Sequence, residues 1–237
     1  MGRLLPQGQV ELLLKGNRVI RKVTSEAVGT AFLLATVVGS GIMGERLAGG
    51  NVAIALLANT LATGAGLVAL ILTFGPISGA HFNPVVTIAD AWQGGRPWRE
   101  VPAYVAAQVL GALLGVAVAH AMFSEPIFAA STHVRSGPAQ LLSEFVATFG
   151  LLSVIWGVSR KAAQFTPFAV GAYITAAYWF TSSTSFANPA VTLARSLTNT
   201  FSGIRPTDAP GFIAAQLAGA AAATVLFKFL VPPTKIS

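Results

Sequence analysis

Long uncharged runs dominate the chain, and their lengths sort into two kinds. Residues 27–44, 101–122, 138–158 and 209–231 each match the roughly 20 residues of a membrane-crossing helix, broken only by Glu144 and Lys228. The stretches 47–89 and 162–194 carry no formal charge and are too long for one span yet too short for two. Each leaves an apolar remainder once a span is taken out. That remainder holds Asn83-Pro84-Val85-Val86-Thr87 in the first stretch and Asn188-Pro189-Ala190-Val191-Thr192 in the second. Asn is a good helix N-cap, and Pro at the first helical position gives up an amide that had no partner anyway. Each string therefore starts a short helix. About ten helical residues rise about 15 Å, half the hydrocarbon thickness. The pattern predicts an all-α integral membrane protein with six full spans and two re-entrant half-helices.

The halves repeat. Glu26-Ala27-Val28-Gly29-Thr30 at the start of span one matches Glu144-Phe145-Val146-Ala147-Thr148 at the start of span four. Pro102, Ala106-Ala107-Gln108 and Gly111 match Pro210, Ala214-Ala215-Gln216 and Gly219. With the two Asn-Pro strings these anchors define halves at 24–123 and 138–231 within a single channel domain, 24–231. Three spans per half is an odd number, so the second half enters from the opposite side and the half-helices meet near the midplane. Irregular backbone at that depth is tolerated only where it is packed in protein or lines a wet cavity, so loops 78–82 and 183–187 are expected to line a pore. Gly79, Ala80, Ser183, Ser185 and Ala187 are small enough to let backbone approach the lumen.

Hydrophobic residues make up 54% of the sequence and charged ones 10%, so the bilayer is the solvent. The net charge of +7 would suggest nucleic acid in a soluble protein, but here it works as a topology signal and no nucleic acid is expected. With six spans, one side carries Arg3, Lys15, Arg18, Arg21, Lys22, Arg96, Arg99, Arg160, Lys161, Lys228 and Lys235, against Arg46, Arg135, Arg195 and Arg205 on the other. Both termini, segment 1–23 and tail 232–237, are placed in the cytoplasm and the protein in the cell (plasma) membrane. A cleaved signal peptide ending near Ser40 is the rival reading of the first span. It fails because the apolar run is too long and belongs to the repeat.

There are no cysteines, and His81, His120 and His133 share no ligand spacing. No nucleophile, base and orienting acid stand together, so no enzyme, cofactor or metal is expected. Glu26 and Glu144 are costly in lipid, and the free amides of the two loops are their available partners. They read as loop anchors rather than a proton relay. Gln108 and Gln216 read as interhelical glue, and Gly111 to Gly115 as a close helix crossing.

Ser78-Gly79-Ala80-His81-Phe82-Asn83-Pro84-Val85-Val86-Thr87, Asn188-Pro189-Ala190 and the inverted repeat resemble the aquaporin and aquaglyceroporin family, the major intrinsic proteins. The resemblance implies a right-handed bundle of six helices, a homotetramer with one pore per subunit, and neutral small-molecule permeants. It also implies that Asn83 and Asn188 hold water or hydroxyls at the pore centre. His81 adds a polar group beside them, or is a core histidine satisfied by backbone. Val85 stands where the family has Ala.

A second departure follows Asn188-Pro189-Ala190. Water channels and glycerol facilitators of this family usually have arginine next, and here it is Val191. Carrying over the other constriction positions by their offsets gives Thr63, Ala176 and Ser185. That ring is wide and weakly charged, and it resembles the bacterial aquaporins associated with arsenic resistance. The resemblance implies passage of arsenous acid, glycerol-like polyols and water, and of methylated arsenicals. Two alternatives stay open: an ordinary water and glycerol channel in which Arg195, one turn on, replaces the missing arginine, and a coupled secondary transporter. A slip of register in span five would bring Tyr178, Trp179 or Phe180 to the constriction in place of Ala176.

Overall fold

The computed structural model describes residues 7–231, with side chains from residue 16 onward. Arg3, Lys15 and Lys235, counted above for orientation, and the tail 232–237 lie outside the described side chains. Eight α-helices follow one another: α1 (Gln7–Leu47), α2 (Val52–Ser78), α3 (Pro84–Trp92), α4 (Val101–Phe123), α5 (Pro138–Ser159), α6 (Thr166–Phe180), α7 (Pro189–Arg195) and α8 (Ala209–Leu230). The order is two copies of a unit, with α1, α2, α3 and α4 answered by α5, α6, α7 and α8. Packing follows the repeat: α1 lies along α4, α5 along α8, and α2 meets α6 between the halves.

Glycine sets the closest of these crossings. A Cβ on Gly111 or on Gly115 would stand 2.2 Å from the carbonyl oxygen of Ala27 or Ala31, so α4 touches the backbone of α1. Gly219 does the same on α8, where a Cβ would lie 2.4 Å from Phe145 O on α5. Helices in lipid gain no hydrophobic drive from associating, so close backbone contact takes over that role. The outward faces carry large apolar side chains such as Leu61, Leu110, Leu114 and Phe229, while Glu26, Gln108, Glu144 and Gln216 are fully buried. This is the inside-out distribution that a bilayer selects.

Two elements differ from expectation. The first helix does not stop at a span of 27–44 but runs for 41 residues, so segment 1–23 is in part a continuation of α1 rather than a separate piece. The fifth span is short: α6 has 15 residues, about 22 Å, preceded by a 3-10 turn over Ala163–Phe165. Among the described residues, five helices have the length and apolarity of a full span. The second uncharged stretch is ten residues shorter than the first (162–194 against 47–89), and the loss falls on α6, which has 15 residues where α2 has 27.

Candidate functional site

The two Asn-Pro strings fold alike. Asn83 and Asn188 sit in extended backbone, with φ of −154° and −159°, and each caps a helix that opens on proline. Asn83 Oδ1 accepts from Val85 N at 3.1 Å; Asn188 Oδ1 accepts from Ala190 N at 3.0 Å and Val191 N at 3.3 Å. The caps satisfy amides that the helix start leaves free.

A buried carboxylate holds the loop before each cap. Glu26 accepts from His81 N at 3.0 Å, Phe82 N at 2.7 Å, the Ser78 hydroxyl at 2.7 Å and Gln108 Nε2 at 2.8 Å. Glu144 accepts from Phe186 N at 2.8 Å, Ala187 N at 2.9 Å and Gln216 Nε2 at 2.6 Å. The glutamines also donate to Thr87 and Thr192, both at 2.9 Å, tying loop, half-helix and long helix together. These bonds hold Ala80 and Phe82 at φ of 50° and 48°, and Ser185 and Ala187 at 51° and 47°. Left-handed backbone costs a non-glycine residue roughly 1–3 kcal/mol and persists only where its surroundings fix it.

The tips are cross-linked. Asn83 Nδ2 donates to Ala187 O at 2.8 Å, and Asn188 Nδ2 donates to Phe82 O at 2.7 Å. A side-chain amide has two N–H groups, so each asparagine keeps one uncommitted donor. Both asparagines line a cavity of about 250 Å³ that runs past the tips between the halves.

Of the expected constriction residues, Thr63, Ser185 and Val191 line this cavity. Ala176 does not: it is exposed on the outer face of α6, and the ring drawn through it is corrected here. The face of α6 toward the lumen is Val170, Ile174 and Tyr178, spaced by four. Tyr178 stands two residues from the expected position and its hydroxyl lies 3.4 Å from Thr63 Oγ1. The four-residue repeat of 170, 174 and 178 was the signal that an offset from a motif passed over. His81 lines the cavity, Pro84, Val85, Pro189 and Ala190 are buried at the helix starts, and Glu26 and Glu144 lie fully buried behind the loops.

Arg195 is also in the cavity wall. It is 2% exposed, its guanidinium lies 3.4 Å from the Phe186 ring centroid, and its Nε donates to Ser202 O. Among the described residues no carboxylate lies within ion-pair distance of it. The guanidinium of Arg135 lies 5.1 Å from the same ring and donates to Gly203 O at 2.8 Å and Ser183 O at 3.2 Å. Burial in this loop lowers the pKa of Arg135 from its ordinary value. At the opposite mouth the wall includes Asp90, Trp156 and Ser159, which the sequence reading did not single out.

Comparison with known proteins accords with this geometry. The family described as major intrinsic protein matches residues 14–185. Aquaglyceroporin AqpS of Rhizobium meliloti is 55% identical over 91% of this chain and 92% of its own. Aquaporin NIP1-1 of Oryza sativa subsp. japonica is 36% identical over 65% of this chain, which matches only 55% of that longer protein. The X-ray structure of the aquaglyceroporin from Plasmodium falciparum superposes with a TM-score of 0.68 over 92% of this chain and 97% of that one, at 22% identity, which speaks for the fold alone. Matched by the family over most of its length and by a 55% identical relative over nearly all of it, the chain belongs to the major intrinsic proteins, a family of membrane channels rather than enzymes.

Proposed function

We propose that the chain is a passive pore for water and for small neutral solutes bearing several hydroxyls, with glycerol and arsenous acid among them and methylated arsenicals as larger candidates. One observation carries the reading: two half-helix tips cross inside the cavity, and Asn83 and Asn188 each offer one free N–H there. Each helix N-terminus presents roughly half a positive charge, so a cation meets a barrier where a neutral hydrogen-bond acceptor does not. The name of the 55% identical relative supports polyols as permeants. Thr63, Tyr178, Ser185 and Val191 form the selectivity ring in this reading. Both termini face the cytoplasm, the α7 mouth faces outward, the membrane is the plasma membrane, and residues 24–231 form one channel domain that assembles as a homotetramer.

A second reading has its own observation. Arg195 is buried, has no carboxylate partner among the described residues and stands in the cavity wall, so it can serve as the filter arginine one turn beyond its usual place, which suits an ordinary water and glycerol channel. Stopped-flow light scattering on proteoliposomes, comparing water, glycerol and arsenous acid, tests both. Permeation of all three supports the first reading; water and glycerol without arsenous acid supports the second reading. Uphill accumulation driven by a proton or sodium gradient overturns the passive channel in favour of a transporter.

A further inference from the structure

The lumen-facing stripes of the two half-helices carry charges that the asparagines do not explain. On α3 the stripe is Asn83, Val86 and Asp90; on α7 it is Asn188, Val191 and Arg195. Both are spaced by three and then four residues, one face of a helix. Asp90 and Arg195 therefore occupy equivalent places in the repeat, 105 positions apart (90 and 195) like the asparagines (83 and 188). Each stands about 10 Å along its helix from the tip. One mouth of the pore offers a guanidinium, a pure donor, and the other a carboxylate, a pure acceptor.

Asp90 forms an ion pair with Arg96, but a loose one. It occupies the last turn of α3, where the helix dipole disfavours negative charge. Its Oδ2 lies 3.6 Å from Arg96 Nε and 3.7 Å from His81 Nε2, within ion-pair reach of Arg96 but beyond hydrogen-bond distance of both. Arg96 is held without it, by Glu100 at 3.1 Å, by Ser78 O at 2.8 Å and by the Tyr104 ring, 3.7 Å away. Arg96 Nε is buried and, among the described residues, has no hydrogen-bond partner beyond this loose ion pair. Asp90 Oδ1 rests against Gly95, where a Cβ would stand 2.1 Å away.

The neighbouring histidine points the same way. The Thr87 hydroxyl donates to Asn83 O at 3.1 Å and accepts from Gln108 Nε2 at 2.9 Å. His81 Nδ1 lies 3.1 Å from the same hydroxyl oxygen. With the Thr87 proton given to Asn83 O, the neutral ring carries its own proton on Nδ1 and presents a bare Nε2. His81 Nε2 and Asp90 Oδ2 are then two acceptors 3.7 Å apart on the lumen wall with no proton between them. The Arg96 guanidinium reaches Asp90 Oδ2 only at 3.6 Å, so the pair can take a further donor.

We propose that Asp90 Oδ2 and His81 Nε2 form an acceptor subsite at the α3 mouth that takes the hydroxyl protons of a permeating polyol, making Asp90 a specificity-determining residue. With the donor Arg195 at the other mouth, the pore then favours solutes that carry both O–H donors and free lone pairs. The inference rests on the conducting role proposed above and names residues that set its preference. Wild type, Asp90→Asn and Asp90→Leu are reconstituted at matched protein density, and water and glycerol permeabilities are measured by stopped flow. The glycerol-to-water ratio falls by about tenfold in Asp90→Leu, as expected for loss of a charged acceptor. It falls less in Asp90→Asn, which is isosteric and keeps one acceptor oxygen. An unchanged ratio in both variants, or an equal loss of water and glycerol, overturns the subsite and leaves Asp90 as a neighbour of Arg96. A wild type that passes no glycerol overturns the conducting role and the subsite together, whereas a glycerol-conducting wild type with an unaltered Asp90→Leu overturns the subsite alone.

Discussion

Replacing Glu144 by glutamine isolates what the buried carboxylate does. The two oxygens of Glu144 accept three hydrogen bonds, from Phe186 N, Ala187 N and Gln216 Nε2. Glutamine keeps one oxygen and turns the other into a donor. If the oxygen faces Ala187, the amide of Phe186 meets an N–H; in the other orientation Ala187 is left unpaired. Gln216 can adapt by rotating its own amide, since its Oε1 is buried without a partner. The net loss is one charge-assisted bond to a buried backbone amide, about 1.5–3 kcal/mol, with the desolvation cost of the orphaned amide within that range or above it. The loop also holds Ser185 and Ala187 in left-handed backbone, strain of roughly 1–3 kcal/mol per residue that the carboxylate offsets. A shift of about 3 kcal/mol moves the loop equilibrium by about two orders of magnitude. Glu144→Gln is therefore expected to reach the membrane with all its helices, to lose thermal stability in detergent, and to conduct water and glycerol poorly without a change in their ratio. Proteoliposome permeability and a detergent melting curve are the assays. Wild-type permeability with an unshifted melting curve would refute the anchoring argument.

Further outcomes follow from the same geometry. Gly111→Ala places a methyl 2.2 Å from Ala27 O and should destabilise the α1–α4 crossing by about 1–3 kcal/mol, visible as a lower melting temperature; an unchanged melt would show that the helices separate freely. Val191→Arg should lower glycerol and arsenous acid permeability far more than that of water, because steric exclusion grows with solute diameter. The paired variant Arg195→Ala distinguishes the two readings of the filter: a raised glycerol-to-water ratio assigns the constriction to Arg195, and an unchanged ratio leaves it with the ring around Val191. Asn188→Asp replaces a free donor with a negative charge between two positive helix ends, so planar-bilayer recordings should show cation current absent from wild type; silence in a correctly inserted variant would place the barrier elsewhere.

The half-helices and their anchors were legible because membrane chemistry leaves them few alternatives. An Asn-Pro step in an uncharged run of the wrong length has to cap a re-entrant helix, and a glutamate in lipid has to find the amides of an irregular loop. Glu26, Glu144, Gln108 and Gln216 stand where that reasoning put them. The position taken for Ala176 shows the limit. A ring drawn by offsets from a motif assumes a fixed rotation of the neighbouring helix, and on α6 the stripe of Val170, Ile174 and Tyr178 sets a different one. The length of α1 was hidden for another reason: hydropathy marks where a helix leaves lipid, while backbone hydrogen bonds continue through polar residues into water. Asp90 is not legible from matching residue types, because it and Arg195 match in position but carry opposite charge.

The exchange of bonds between the two tips also bears on how the protein is made. Each carboxylate anchor closes within its own half, so the first loop can be braced by Glu26 and Gln108 as soon as α4 has emerged. Its last polar group cannot. Asn83 Nδ2 finds its acceptor 104 residues further along the chain. At roughly 5–20 residues per second, that partner leaves the ribosome about 5–20 s later. For that interval a half-spanning helix sits at membrane depth with an unpaired amide, and the insertion machinery or trapped water has to shelter it. The two halves, expressed as separate polypeptides split in the loop between α4 and α5, should then each insert yet conduct only when co-expressed, because the seam through which solutes pass is built by neither one alone.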